Sequence, residues 1–273
     1  MAKLNDKSQP LVLLKLGGSL ITDKNNPRTL RRETLHRLAG EIASARQQLS
    51  SLRLIIGHGA GSYAHVSAMK HGTRRGVHTP DQWLGFAEVW WDAATLNRLV
   101  MEAFHGAGIP AIALAPSASV TAREGLVSRW DLSPLESALQ AGLVPVIFGD
   151  VIFDLQRGGT ILSTEDLFAY LVTQLNPKRM LLAGIEPGVY QDFPNRSKII
   201  HKITPENYQE ILPVLGGSVA TDVTGGMESK VNQAVSLINQ FPSLEILIFS
   251  GDEPGNLHEV LLGSSSGTVI CRE

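Results

Sequence analysis

The feature that most constrains the fold of this chain is an alternation of short apolar runs with longer amphipathic stretches. The apolar runs predict buried strands over Leu11–Leu16, Arg53–Ile56, Ile109–Leu114, Val144–Phe148, Arg179–Ala183, Glu245–Ser250 and Gly267–Cys271. The stretches between them predict helices over Thr29–Leu49, Trp83–Ala107, Leu132–Ala141, Thr164–Leu175, Ile203–Gly216 and Met227–Asn239. Because buried strands connected through helices pair in parallel, the pattern predicts an α/β fold with helices on both faces of a mainly parallel sheet.

Two further local patterns refine this architecture. Val151–Phe153 and Gly159–Leu162 are separated by a short polar segment, which predicts a hairpin beside the main sheet. Pro177 follows a predicted helix and marks a boundary between two lobes. We therefore expect one domain over residues 1–273, made of lobes over about 1–176 and 177–273.

Composition excludes several classes of function. The chain has 273 residues, with 24 Lys and Arg against 26 Asp and Glu, and this balance gives no reason to expect a nucleic-acid surface. Cys271 is the only cysteine, which excludes disulfides within the chain and favours a reducing compartment. Residues 1–10 lack an apolar core, and Gly and Pro interrupt the uncharged run Ala103–Ala122. We expect a cytoplasmic protein with no signal peptide and no membrane span.

The segment Gly57–His65 has three glycines at alternate positions where a predicted strand meets a predicted helix. Without Cβ atoms, the backbone N–H groups of such a turn can close on an anion, and a helix N-terminus adds partial positive charge. His65 ends the segment and can donate a hydrogen bond to a phosphate near neutral pH. The alternative is a tight turn that binds no ligand.

A second segment, Leu14–Lys24, lies where the first predicted strand ends. Open α/β sheets place ligands at this carboxyl edge. Gly17 and Gly18 permit close approach of an anion, Ser19 adds a hydroxyl donor, and Lys15 and Lys24 add positive charge. Solvation at the surface is the alternative for both lysines, and it is weaker for Lys15 because a lysine inside an apolar strand needs a partner.

A third segment, Thr221–Lys230, again has glycines before a predicted helix, with Lys230 one turn inside it. Its ammonium group can reach back to a phosphate at the start of the helix. The alternative is a helix capped by Thr224 with Lys230 exposed. Three such glycine turns in one chain, each with Lys or His, favour phosphate binding over chance.

Familiar nucleotide and metal patterns are missing from the sequence. There is no G-x-x-x-x-G-K-[ST] motif and no dinucleotide G-x-G-x-x-G motif. The spacing of His58, His65, His71 and His78 does not place a tight pair on one helical face, so we expect no metal held by protein ligands. Glu165 and Asp166 are candidates to cap the helix after Ser163, and Asp150 is a candidate to order Lys15 or Lys24.

These segments resemble the amino acid kinase superfamily. The resemblance rests on Lys15–Ser19, Gly57–Ser62 and Thr224–Lys230, with further matches at Pro145–Asp150, Leu162–Leu167, Gly188–Tyr190 and Pro254–Leu257. It implies the three-layer αβα fold of that superfamily, with acceptor binding by the first lobe and nucleotide binding by the second. Lys24 and Gly61–His65 are similar to the isopentenyl phosphate kinase branch, whose close relatives are the fosfomycin kinases. Ala60 and Ala64 stand where glycines are common, which is tolerable if neither residue needs a positive φ.

The resemblance implies ATP and Mg²⁺ as cofactors, isopentenyl phosphate as the substrate and a homodimer as the assembly. It implies catalytic roles for Lys15, Lys24 and His65. The implied ATP contacts are Lys15, Gly17, Gly18, Ser19, Gly61, Gly226 and Lys230, and the implied acceptor contacts are Ala60, His65 and Gly149.

An isoprenoid acceptor also needs an apolar slot. Phe86 and Trp90 lie on the predicted helix after the Gly57–His65 turn, and we expect one of them to limit acceptor length. Ordinary core packing is the alternative for both. Two other functions stay open: a fosfomycin-type or other small phosphonate or phosphate kinase, and a non-catalytic anion or nucleotide binder.

Overall fold

The computed structural model of the chain describes residues 10–215 and 226–273. The strands are β1 Leu11–Leu16, β2 Arg53–His58, β3 Ala111–Ala113, β4 Val120–Arg123, β5 Leu126–Trp130, β6 Val144–Phe148, β7 Asp150–Asp154, β8 Gly158–Leu162, β9 Arg179–Gly184, β10 Val189–Tyr190, β11 Ile199–Ile200, β12 Lys202–Ile203, β13 Glu245–Ser250 and β14 Thr268–Ile270. The helices are α1 Gly18–Ile21, α2 Arg32–Gln48, α3 Gly61–His71, α4 Pro80–Gly106, α5 Ser133–Gln140, α6 Thr164–Leu175, α7 Tyr208–Leu215, α8 Gly226–Gln240 and α9 Asn256–Leu261, with short 3₁₀ turns at Thr73–Arg75 and Pro116–Ala118.

The main sheet has the strand order β12-β14-β13-β9-β1-β2-β6-β3. Its pairs are parallel except for β13 with β14, which is antiparallel. Alternate residues of β1 belong to two different apolar clusters: Leu13 to one, Leu14 and Leu16 to the other. Both faces of the sheet are therefore covered, which explains why β1 is apolar throughout except at Lys15. The predicted α/β fold class is confirmed.

The predicted lobe boundary lies within a continuous sheet. β9 begins two residues after Pro177 and pairs directly with β1. Helix α6 ends before Asn176, which adopts a left-handed φ of 47° as its C-cap. The chain thus turns at this point as predicted, while the division of roles between two lobes stays a prediction.

A second sheet has the order β5-β4-β7-β8 and includes the predicted hairpin of β7 and β8. The strands β4 and β5 were not predicted, since they are short and interrupted by polar residues. Between this sheet, α3 and α4 lies a third apolar cluster that contains Ala64, Phe86, Phe148 and Val151. This cluster places apolar surface next to the end of β6.

Several predicted element bounds are wrong, and each has a local cause. Helix α4 begins at Pro80 instead of 83 because Thr79 and Gln82 form a capping box. Helix α7 begins at Tyr208 instead of 203 because residues 202–203 pair with β14. Helix α2 begins at Arg32 instead of 29 because Leu30 bridges Thr22. Helix α9 was not predicted. None of the helices in the described parts of the chain combines the length and apolar composition of a membrane span.

Candidate active site

The carboxyl ends of four parallel strands meet at one edge of the main sheet. Strand β1 pairs with β2 on one side and β9 on the other, so that Lys15 lies beside Gly57 and Leu182. Strand β2 continues the edge to β6, where His58 lies beside Phe148. The turns after β1 and β2, predicted separately as anion cradles, are therefore neighbours.

These two turns touch each other through their backbones. A Cβ atom added to Gly18 would lie 2.5 Å from the amide nitrogen of Gly61, and one added to Gly59 would lie 2.7 Å from that of Gly18. Gly61 also has a φ of +51°, a conformation that disfavours any other residue. The glycines are thus needed for contact between the turns, in addition to any contact with a ligand.

Thr22 and Ser62 lock the two turns together, and the sequence interpretation missed both residues. The Thr22 hydroxyl donates to the carbonyl of Gly18 (2.7 Å) and accepts from the amide of Ser62 (2.9 Å). Thr22 is fully buried, and Ser62 is 5% exposed. Ser62 directly follows Gly61 and was available as a signal, whereas Thr22 comes four residues after Gly18 and no motif marks it.

Lys15 lies at the buried end of β1 and forms an ion pair with Glu165 of α6. Burial favours the neutral form of Glu165, but the charges of Lys15 and Lys230 outweigh it and hold the pKa of Glu165 below its usual value. Lys230 is in the first turns of α8, and its charge acts on the same carboxylate that pairs with Lys15. This combination of two ammonium groups and one carboxylate has a net positive charge, as a phosphate site requires.

The acidic residues near Lys15 have different roles from those expected. Asp166 caps α6 as predicted, since Ser163 and Asp166 form a reciprocal capping box. Glu165, the other predicted cap, instead faces Lys15. Asp150 was expected to order a lysine, but its carboxylate accepts from the amides of Ser117 (3.0 Å) and Val151 (2.9 Å). Burial raises the pKa of Asp150 to about 6.

His58 is a buried structural histidine at the end of β2. Burial lowers the pKa of His58 to about 4, so the ring is neutral at pH 7. Its Nε2 lies 3.1 Å from Nδ2 of Asn97 and its Nδ1 lies 3.1 Å from the carbonyl of Gly59, which together assign the proton to Nδ1. The ring also stacks on Phe148 at 5.5 Å. Through these contacts His58 holds the backbone at the start of the turn after β2.

The predicted acceptor contacts surround this turn. Ala60 precedes α3 with a φ of −74°, and Ala64 lies inside α3, so the two alanines need no positive φ. His65 is partly exposed on α3, one helical turn after Gly61. The amide of Gly149 donates to the carbonyl of His58 (3.2 Å), and a Cβ there would meet only ordinary contacts at 3.6 Å. The protein's own packing thus does not require glycine at position 149.

Of the two residues predicted to line an apolar slot for the acceptor, Phe86 is buried and Trp90 is exposed. Phe86 is 7% exposed and belongs to the third apolar cluster, on which Ala60 also packs. Its ring contacts Trp83 and Phe153, with centroids 5.2 and 5.3 Å away. Trp90 is 42% exposed. Phe86 is therefore the better placed of the two to limit acceptor length, and both contacts remain predictions.

The other predicted site residues have the following positions. Gly17 donates its amide to Ala183 of β9 (2.8 Å), Ser19 is partly exposed in α1, and Lys24 is exposed in the loop before α2. Gly226 begins α8 with a φ of +64°. Residues 221–225 of the third glycine segment, including the predicted cap Thr224, lie outside the described residues.

Among the described residues, no three His, Cys, Asp or Glu side chains form a group suited to a metal ion.

Comparison with known proteins identifies the family. Residues 10–250 match the amino acid kinase family. The chain belongs to this family. Among curated members of the amino acid kinase family, the chain is 32% identical to isopentenyl phosphate kinase of Methanocaldococcus jannaschii, over 95% of this chain and 98% of that protein. It is 34% identical to the isopentenyl phosphate kinase of Haloferax volcanii, over 96% of this chain and 99% of that one.

A solved structure supports the same family fold. X-ray structures of isopentenyl phosphate kinase match with a TM-score of 0.80 and 31% identity, covering 95% of this chain and 99% of the other. An isopentenyl phosphate kinase substrate complex matches with a TM-score of 0.74 and 25% identity, covering 95% and 99%. The fold is therefore that of an amino acid kinase.

Proposed function

We propose that this chain is an isopentenyl phosphate kinase, which transfers the γ-phosphoryl group of ATP to isopentenyl phosphate. The observation that carries the proposal is the backbone contact between the Gly17–Gly18 turn and the Gly59–Gly61 turn. Lys15 lies before one turn and His65 follows the other, so a nucleotide site and an acceptor site share a border. Relatives named isopentenyl phosphate kinase, similar over nearly the whole chain, identify the acceptor.

The chemistry needs alignment and charge neutralisation more than acid–base catalysis. A phosphate monoester is already an anionic nucleophile near pH 7, so no strong general base is required. The barrier lies in bringing two phosphate groups together, and fixed positive charges lower it. Lys15 and Lys230, both close to Glu165, bind the ATP phosphates. Lys24 neutralises the transferring group, and the glycine turns supply backbone donors.

The acceptor is bound on the α3 side. His65 and the backbone at Ala60 and Gly149 bind its phosphate. The third apolar cluster, with Phe86, contacts the hydrocarbon tail. A Mg²⁺ ion bound together with ATP would add positive charge to the phosphate site that Lys15 and Lys230 form. Magnesium dependence, a homodimer and a cytoplasmic location are further parts of this proposal.

A coupled ADP-release assay with isopentenyl phosphate, dimethylallyl phosphate and fosfomycin tests the proposal. We expect turnover with the prenyl phosphates and at least a tenfold lower kcat/KM with fosfomycin. The reverse preference would assign a phosphonate kinase. ATP binding without turnover of any acceptor would assign the non-catalytic alternative.

His65→Ala tests the acceptor assignment within the same assay. We expect the KM for isopentenyl phosphate to rise and kcat to fall by tenfold or more, with ATP affinity nearly unchanged. His36→Ala is the matched control, because His36 is exposed on α2 and should change neither value. Loss of ATP binding in His65→Ala would place this histidine on the nucleotide side instead.

A further inference from the structure

The loop that carries Lys24, residues 22–31, joins α1 to α2 and is closed at its base. The amide of Asp23 donates to the carbonyl of Thr29 (2.9 Å), and that of Arg31 donates to the carbonyl of Ile21 (2.8 Å). Lys24 is exposed near the tip. Because its ammonium group lies on a flexible stem, its location depends on what docks the loop against the rest of the protein.

Arg28 makes contacts from this loop to both α3 and α4. Its amide donates to the carbonyl of Ser62 in the first turn of α3 (3.1 Å), and its guanidinium pairs with Asp92 of α4 (2.8 Å). Arg28 has a φ of 51°, a left-handed conformation that is unfavourable for a residue with a side chain. Such a conformation persists where surrounding contacts determine it.

Asp92 is a rigid anchor for this loop. Its side chain is only 3% exposed, although the Arg28 side chain that meets it is 57% exposed. The other carboxylate oxygen accepts from the hydroxyl of Ser67 on α3 (2.9 Å). A carboxylate this buried requires charged or hydrogen-bonding partners, so the loop is held against a fixed point.

We infer that Arg28 and Asp92 are positioning residues, whose ion pair sets the location of Lys24 relative to the helix that carries His65. Ser62, Ser67 and His65 all lie on α3, and Arg28 connects the Lys24 loop to that helix twice, once directly and once through Asp92. In this assignment both residues act through Lys24 and do not bind the substrate themselves. The inference rests on the proposed function, because it assigns Lys24 to the transferring phosphoryl group.

Loosening this loop should impair transfer and spare nucleotide binding. Arg28→Ala is expected to lower kcat about ten- to a hundredfold, the effect of a displacement near 1 Å in a transfer site. The KM for ATP should stay within about twofold, since Lys15 is held by its ion pair with Glu165, apart from this loop. Arg28→Lys, which keeps the charge but not the planar fork, should retain part of the lost rate.

A double-mutant cycle separates positioning from general destabilisation. If Arg28 acts through Lys24, the kcat of Lys24→Ala/Arg28→Ala equals that of Lys24→Ala alone. Arg98→Ala is the control, because its exposed pair with Glu102 (3.4 Å) lies on the same helix as Asp92. It should leave kcat and Tm unchanged. The inference would be overturned if the kcat losses of the two single variants multiplied in the double variant. It would also be overturned if the KM for ATP in Arg28→Ala rose by as much as kcat fell.

Hydrogen exchange tests the docking itself without any turnover. In Arg28→Ala the amides of Arg28 and Thr29, which donate to Ser62, should exchange at least tenfold faster than in the wild type. Unchanged exchange rates of these two amides in Arg28→Ala would overturn the inference, whatever the activity of that variant. A wild type that does not turn over isopentenyl phosphate would instead refute the proposed function. Should Arg28→Ala not fold, Asp92→Asn gives the same comparison.

Discussion

Replacing Gly18 by alanine tests whether the two glycine turns must touch. The added Cβ would lie 2.5 Å from the amide nitrogen and 2.7 Å from the Cα atom of Gly61. Both neighbours are backbone atoms, so no side chain can rotate away. To reach an ordinary contact distance of about 3.4 Å, the turns must separate by roughly 0.9 Å.

That displacement has two measurable consequences. Overpacking of this kind lowers the free energy of unfolding by about 1–3 kcal/mol, and Tm falls by several degrees in a chain of this size. A shift near 1 Å between the donor and acceptor sides lowers kcat by about a hundredfold. Thermal unfolding followed by near-UV circular dichroism and the ADP-release assay measure the two effects separately.

Gly40→Ala is the matched control. Gly40 lies within α2 and is exposed, and a Cβ there meets nothing within 4 Å. Alanine should therefore raise the free energy of unfolding by about 0.5–1 kcal/mol through helix propensity, and leave kcat unchanged. If Gly18→Ala kept the wild-type Tm and kcat, contact between the turns would not require glycine at position 18. Equal losses of Tm and kcat in Gly18→Ala and Gly40→Ala would refute that requirement as well.

Two further predictions concern buried charge. Glu165→Gln removes the buried carboxylate that pairs with Lys15, which should lower the free energy of unfolding by about 3 kcal/mol. ATP phosphates can replace the lost charge, so ATP affinity by calorimetry should equal or exceed that of the wild type while kcat falls; weaker ATP binding would contradict this. The pKa of Asp150 is raised to about 6 by burial, so the folded state takes up a proton between about pH 6 and 4, which favours folding on acidification. The pKa of His58 is lowered to about 4, so the unfolded state takes up a proton over nearly the same range, which favours unfolding. In the wild type the two effects offset each other. Asp150→Asn removes the stabilising one, so its free energy of unfolding in urea titrations should fall by up to about 3 kcal/mol more than that of the wild type between pH 6 and 4. Parallel plots of the free energy of unfolding against pH would contradict the assignment.

The sequence determined the architecture because burial on both faces of a parallel sheet leaves a direct signal in the chain. Strand β1 is apolar at every position except Lys15, and that exception correctly indicated a buried partner. The glycine turns at 17–18 and 57–61 were recognisable for the same reason, since each marks a place where Cβ atoms are excluded. Local signals of this kind do not depend on which segments meet in space.

The tertiary structure alone decided which groups meet. Glu165 looked like a helix cap and proved to be the partner of Lys15, because α6 begins beside the end of β1. The strand order placed the two glycine turns against each other, so their glycines serve a contact between distant segments as well as any ligand. Arg28 and Asp92 are 64 positions apart in a sequence that links them by no motif, and only the packing of the loop on α4 pairs them. Such pairings arise from the arrangement of the strands and helices, which no single segment of the sequence encodes.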